Sequence, residues 1–138
     1  MGLSAVTIVA SAIVMAGLNG LIAVAMGAVG AHGLSDERAA NWMATGSMFQ
    51  LAHAAALIGL AALIAGRKPP TRHFMPALVV ALTGGGALVF AGALYASAFG
   101  GLWAQTMGWA APWGGLAMIA GWALLIVYGL VMAAERRR

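Results

Sequence analysis

Four long apolar blocks alternate with three short connectors along the chain. The blocks cover about residues 5–31, 44–65, 74–98 and 112–134. Each block is long enough to cross about 30 Å of hydrocarbon as a helix that rises about 1.5 Å per residue. Lipid offers the backbone no hydrogen-bond partners, so spans of this kind are helical. The pattern predicts an all-α membrane protein: one domain over residues 1–138, with four transmembrane helices in a compact up-and-down bundle.

The polar residues around the first two blocks refine their bounds. No Lys or Arg precedes the first block, which is also longer than the apolar region of a signal peptide, so it is interpreted as a mature helix. After it, Ser35 is a suitable helix N-cap, and Asp36 and Glu37 in a first turn would favour the positive end of a helix dipole. The second helix is therefore expected to begin near Asp36, ahead of its apolar block.

Composition supports the membrane assignment. Hydrophobic residues make up 63% of the chain and charged residues 7%, against roughly 25% charged residues in a soluble domain. The chain contains no cysteine, which removes disulfides, thiol catalysis and thiolate metal sites. The net charge is +4, but the basic residues flank apolar blocks. They are interpreted as topology signals, and no nucleic acid is expected as a partner.

The basic residues predict the orientation of the bundle. They cluster in the second connector and at the C-terminus, at Arg67, Lys68, Arg72, Arg136, Arg137 and Arg138. With four spans these two places share one side, and the positive-inside rule makes that side, with both termini, cytoplasmic. Arg38 lies opposite, offset by Asp36 and Glu37. Four tryptophans then fall at the outer interface, where indole rings anchor well: Trp42, Trp103, Trp109 and Trp113.

Small residues recur at helical spacing and predict close helix packing. Hydrophobicity does not hold helices together in lipid, so small residues that allow backbones to approach are expected to do so. In the first span the stripe is Ala16, Gly20, Ala23, Gly27 and Gly30; in the third it is Ala81, Gly85 and Gly92, with Tyr95; in the fourth it is Gly114 and Gly121. The alternative is that Ala and Gly are simply common in the source proteome.

A few polar residues inside the blocks are the candidate binding residues. Gln50 and His53 share one face of the second helix, and polar groups in lipid are expected to point into the bundle. Tyr95 near the outer end of the third helix and His32 at the outer end of the first complete a hypothetical ligand site. The alternatives are structural: His53 hydrogen-bonds to another helix, and His32 interacts with helix-end carbonyls beside Gly33, which can adopt a positive φ.

Four sequence blocks resemble a known family. They are "GAVGAHGL", "GSMFQLAHAAAL", "GALVFAGALY" and "APWGGLAMIAGW", one on each predicted helix and in this order. Together they resemble the small bacterial membrane proteins of domain-of-unknown-function family four-two-three. The resemblance covers nearly the whole chain and implies a four-helix protein of the bacterial inner membrane, with no established activity.

The sequence favours a non-catalytic protein over two other classes. A proton-coupled exporter needs a carboxylate within the membrane, but Asp36, Glu37 and Glu135 all lie at block ends. No catalytic pair or metal cluster appears inside the blocks, so neither an enzyme nor a resident metal or cofactor is expected. The remaining class is a bundle that binds a lipid or small apolar molecule, or that serves as an accessory subunit of a larger complex or a homo-oligomer. The alternative is a haem- or quinone-binding protein that uses His53 and His32.

Overall fold

Helices form nearly all of the part of the chain that the structure, a computed structural model, describes, which is residues 4–66 and 74–135. The helices are α1 (Ala5–His32), α2 (Glu37–Ala65), α3 (Phe74–Phe99), α4 (Gly101–Met107) and α5 (Ala111–Glu135). A single 3₁₀ turn, Gly108–Ala110, joins α4 to α5. Four helical segments are long and apolar enough to cross a membrane: α1, α2, α3 and the continuous stretch from α4 to the end of α5. The predicted fold class is confirmed.

Side-chain caps begin the first two helices. The Ser4 hydroxyl accepts a hydrogen bond from the Thr7 amide at 3.1 Å and starts α1. At α2 the N-cap is Asp36, whose carboxylate accepts from the Arg38 amide at 3.3 Å, so the prediction that Ser35 fills this position is wrong. Asp36 is the cap because it is the residue directly before the first helical turn and its backbone is extended.

The end of α1 also differs from the prediction. Gly33 follows α1 with φ −106° and donates its amide to the Val29 carbonyl at 2.8 Å. The expected positive φ is not adopted, because the chain leaves α1 through one further right-handed turn.

The helices run antiparallel, so the bundle has two distinct ends. At one end lie the start of α1, the end of α2, the start of α3 and the end of α5; we call this the terminal end. Its core packs Ile8 and Ala12 of α1 against Ile64 of α2, Val79 of α3 and Tyr128 of α5. The opposite end holds residues 33–36 and α4, and we call it the loop end.

A π-helical turn over Ala81–Gly85 interrupts α3. A π turn carries more residues than an α turn, so it rotates the face that the following residues present. The buried residues around it are Thr83, Gly84, Gly86, Ala87 and Ala91. The predicted stripe does not match the buried face: Ala81 and Gly92 are exposed, whereas Tyr95 is buried.

Glycines hold the helices close at some of the predicted positions. A Cβ added to Gly30 would lie 2.6 Å from the Met43 Cβ of α2, and one added to Gly121 would lie 2.6 Å from the Thr83 Cγ2 of α3. One added to Gly114 would overlap the backbone nitrogen of Phe90 in α3. These positions admit only glycine without movement of a neighbouring helix.

Of the four remaining glycines that were predicted to pack, one contacts a neighbouring helix and three face open space. At Gly27 a Cβ would meet the Ser47 Oγ at 3.4 Å. At Gly20, Gly85 and Gly92 nothing in the described chain lies within 4 Å of such a Cβ. Gly20 falls off the α1–α2 contact because the buried stripe of α1 runs through Ala16, Asn19 and Ala23.

Helix α4 was not predicted, because its sequence lacks a long apolar block. No residue of α4 or of the 3₁₀ turn is buried. The exposed fractions are 60% for Trp103 and 67% for Trp109, and Trp113 at the start of α5 is 63% exposed. Residues 101–113 therefore present an uncharged surface that is rich in indole rings.

Candidate functional site

Three groups of polar side chains in the described spans join one helix to another. The loop-end group is Ser47, Gln50 and Tyr95; the second group is His53 with Trp122; the third is Asn19 with the π-helical turn of α3. The sequence analysis expected one site that contains Gln50, His53, Tyr95 and His32. The structure brings Gln50 and Tyr95 together and directs the two histidines elsewhere.

The loop-end group joins α2 to α3. The Tyr95 hydroxyl donates to Gln50 Oε1 at 2.7 Å, and the Ser47 hydroxyl lies 3.3 Å from the same phenol oxygen. The Tyr95 proton goes to Gln50, so Ser47 is the donor of the second bond. Gly46 gives the ring its room, because a Cβ there would lie 2.6 Å from Tyr95 Cε1. All three polar side chains are buried, so the group fixes the register of the two helices.

His53 is attached to α5 rather than to Tyr95. The Trp122 indole donates to His53 Nε2 at 3.1 Å, and His53 Nδ1 lies 2.8 Å from the Phe49 carbonyl oxygen. Since an indole nitrogen only donates, Nε2 is the acceptor and Nδ1 carries the proton. Both ring nitrogens are therefore engaged, and neither has a lone pair available to a metal. Sequence reasoning missed Trp122, because a partner on a distant helix follows from the tertiary packing alone.

His32 lies apart from the other candidate residues. It is exposed at the end of α1, and no hydrogen bond or ring contact links it to another described residue. Gly30 packs on Met43, and His53 follows Met43 by ten residues, or about 15 Å along α2. His32 lies beyond Gly30 in the opposite direction. The two histidines are thus too far apart to ligate one haem iron, which excludes the alternative of a haem held by both His53 and His32.

Asn19 is the functional candidate that the sequence analysis overlooked. Its side chain is fully buried, and Nδ2 donates to the Met15 carbonyl at 2.9 Å and to the Gly84 carbonyl at 3.3 Å. Its other amide atom, Oδ1, is buried without a hydrogen-bond partner in the described residues. The signal was visible, since an amide in an apolar block is expected to face the interior.

A groove between α1 and α3 ends at Met15, one helical turn before Asn19. It forms a cavity of about 410 Å³, lined on α1 by Thr7, Ile8, Ser11 and Met15 and on α3 by Ala77, Val80 and Ala81. Thr7, Ser11 and Ala81 are exposed, so the cavity reaches the surface of the bundle. Its volume lies within the range of roughly 300–1,000 Å³ typical of small-molecule pockets.

Comparison with known proteins identifies the family. Residues 26–115 match the family described as "Protein of unknown function (DUF423)". The chain belongs to this family. It is 36% identical to the "UPF0382 inner membrane protein YgdD" of Escherichia coli (strain K12) over 118 residues, which cover 83% of this chain and 86% of that protein.

Other DUF423-like relatives agree with this assignment. A "UPF0382 membrane protein" of Haemophilus influenzae is 33% identical over 115 residues, covering 81% of this chain and 86% of the relative. One from Staphylococcus epidermidis is 31% identical over 124 residues, covering 88% and 96%. No solved structure matches the chain. The relatives and the four apolar helical segments together make this DUF423 protein a multi-pass inner-membrane protein.

Proposed function

We propose that the protein is a non-catalytic membrane bundle that binds a small apolar molecule in the groove between α1 and α3. The groove carries this proposal: its volume of about 410 Å³ suits a ligand with an aliphatic chain, and five of its seven lining residues are apolar. Lipid surrounds a transmembrane bundle, so a molecule dissolved in the membrane can enter sideways past Ser11 and Ala81, which are exposed.

The buried polar side chains outside the groove have structural partners, which favours a structural role over a catalytic one. Gln50 and Tyr95 bind each other, and His53 binds Trp122 and the Phe49 carbonyl. A polar group in an apolar environment costs several kcal/mol without a partner, about 2–7 by transfer measurements. These pairs remove that cost while they join α2 to α3 and α5, which is a sufficient reason for their presence.

A filled-groove variant tests the binding proposal. Ser11→Phe places a ring in the groove, whereas Ala25→Phe adds the same ring at an exposed position of α1 outside it. Protein purified in mild detergent is examined by native mass spectrometry for a bound apolar molecule, and its thermal unfolding is recorded. We expect the bound mass to disappear in Ser11→Phe and to persist in Ala25→Phe, with both bundles folded. An equal bound mass in both variants would place the ligand elsewhere.

We also propose that the terminal end is cytoplasmic. This proposal is supported by the positive charges that follow α2 and α5 in the chain, in the basic connector and in the C-terminal arginines. These basic residues lie outside the described residues, so they are assigned to this end by chain position alone. Topology reporters fused after Glu135 and at Trp103 should report opposite sides of the membrane. The same side for both would exclude this orientation.

We propose, second, that the protein assembles into a larger complex or a homo-oligomer. This proposal rests on the open face of α1. A Cβ added at Gly17 or Gly20 would have nothing within 4 Å, so another helix can approach closely there. Mass determination of the protein in native lipid nanodiscs tests it. A monomer without stoichiometric partners would speak against both assemblies.

A further inference from the structure

Asn19 places an unused hydrogen-bond acceptor in the interior of the bundle. Among the buried side-chain nitrogen and oxygen atoms of the described residues, Oδ1 of Asn19 is the one without a partner. The same side chain is held firmly through Nδ2, which donates to the Met15 and Gly84 carbonyls. Because two bonds orient the amide, Oδ1 is a fixed acceptor rather than a mobile one.

The groove and Asn19 share the same two walls. Asn19 follows Met15, a groove residue, by four positions on α1, so it lies one turn further along the same face. Gly84, whose carbonyl binds Asn19, stands in the same relation to Val80 on α3. The amide therefore spans α1 and α3 one helical turn beyond the groove.

Met15 separates the groove from Asn19. Its side chain lines the groove and also packs over Gly84, where an added Cβ would lie 3.0 Å from Met15 Cε. Methionine is unbranched and has three rotatable bonds, so it adapts readily to a changing neighbour. To reach Asn19, a molecule in the groove has to displace this side chain.

We propose that the molecule held in the groove carries a hydroxyl group that donates a hydrogen bond to Asn19 Oδ1. This inference rests on the proposed function, because it names the chemistry of the ligand for the same groove. A hydroxyl fits better than an ammonium group: α1 and α3 contain no Asp or Glu, and a buried cation needs a counter-charge.

The hydroxyls at the mouth of the groove are weaker candidates for this contact. Thr7 Oγ1 already lies 2.8 Å from Ser4 Oγ, and both Thr7 and Ser11 are exposed. A new hydrogen bond to a ligand adds most to the binding free energy where the acceptor is buried and unpaired. Oδ1 of Asn19 meets that condition, and the Ser11 hydroxyl is the rival contact that Ser11→Ala removes.

A pair of ligands that differ in the donor tests the inference. Octan-1-ol carries the hydroxyl, and 1-methoxyoctane keeps the oxygen and the chain but cannot donate. Affinities for the detergent-solubilised protein are measured by titration calorimetry, with protein-free micelles as the blank. We expect the alcohol to bind about fivefold more tightly than the ether, the ratio that corresponds to one net hydrogen bond. This comparison uses the wild-type chain, so it does not depend on a variant that folds.

Variants then locate the donor contact. In Asn19→Leu the alcohol and the ether should bind equally, and in Thr106→Ala, which removes an exposed hydroxyl of α4 outside the groove, the fivefold preference should remain. A preference lost in Ser11→Ala and kept in Asn19→Leu would overturn the assignment to Asn19. Equal binding of both ligands to the wild-type chain would overturn the hydroxyl and leave groove binding intact. If neither ligand binds, the proposed function and this inference both fail.

Discussion

The two amides inside the bundle, Gln50 near the loop end and Asn19 beside the groove, are used in opposite ways. Gln50 accepts the Tyr95 proton and closes a contact between α2 and α3. Asn19 donates across the α1–α3 contact and leaves its acceptor unpaired. In lipid, a paired buried amide fastens helices, whereas an unpaired acceptor is a place where a further donor can stabilise the protein. The comparison predicts that mutations near the loop end lower stability, while the change at Asn19 alters ligand preference.

The largest effect is expected at Gly114, where α5 meets the backbone of α3 near the loop end. A Leu there overlaps Phe90, so α5 must move away, with a loss of about 3 kcal/mol, at the upper end for overpacking. Gly92→Leu is the matched control, because nothing lies within 4 Å of its added Cβ. Thermal unfolding in detergent measures both. Equal losses would show that the loop end is not closely packed at Gly114.

The sequence predicted the spans better than their faces. Length and hydropathy mark where a helix crosses lipid, and α1, α3 and α5 begin and end within one residue of their blocks. The block of α2 starts at residue 44, but the helix starts at Glu37, and the predicted start near Asp36 is confirmed. The face of α3 was predicted only in part: Tyr95 is buried, but Ala81 and Gly92 are exposed, because the spacing of small residues does not show which face the neighbouring helices cover.

The candidate site was predicted in its residue types but not in its pairings. Gln50 and Tyr95 meet as partners of opposite helices, whereas His53 binds an indole on α5 that the sequence analysis assigned no role. Which helix faces which is a property of the whole bundle and is not encoded in local spacing. Asn19 was missed for a different reason: it has no polar neighbour one turn away on α1, although a lone amide in lipid obeys the same rule of internal satisfaction.

Gln50→Leu should have the next largest effect. It removes the acceptor of the buried Tyr95 hydroxyl, and we expect a loss of about 2 kcal/mol in unfolding free energy. Adding both Tyr95→Phe and Ser47→Ala should recover about half of this loss, because no unpaired hydroxyl of the loop-end group remains. Binding of octan-1-ol in the groove should stay unchanged in both. A change in that binding would mean that the loop-end group and the groove are coupled.

His53→Leu should cost less, about 1 kcal/mol, because it removes the acceptor of an indole that is only half-buried. Trp122→Phe removes the same hydrogen bond from the other side, so the two changes together should cost little more than either one. The absorbance spectrum of the purified protein should be the same with and without His53. A visible band lost in His53→Leu would restore a cofactor role for this residue.

Asn19→Leu should have the smallest effect on stability, below about 1 kcal/mol, because the lost bond to the Gly84 carbonyl is offset by removal of the unpaired Oδ1. Asn19→Asp keeps the side-chain volume nearly constant but replaces the donor Nδ2 with a carboxyl oxygen. This oxygen faces the Met15 and Gly84 carbonyls, which now accept from Nδ2, so the unfolding free energy should fall by about 2–3 kcal/mol. Both are compared with Gln50→Leu in one denaturation series. If Asn19→Leu lost as much stability as Gln50→Leu, the two amides would fasten helices alike, and the difference between the two regions would not exist.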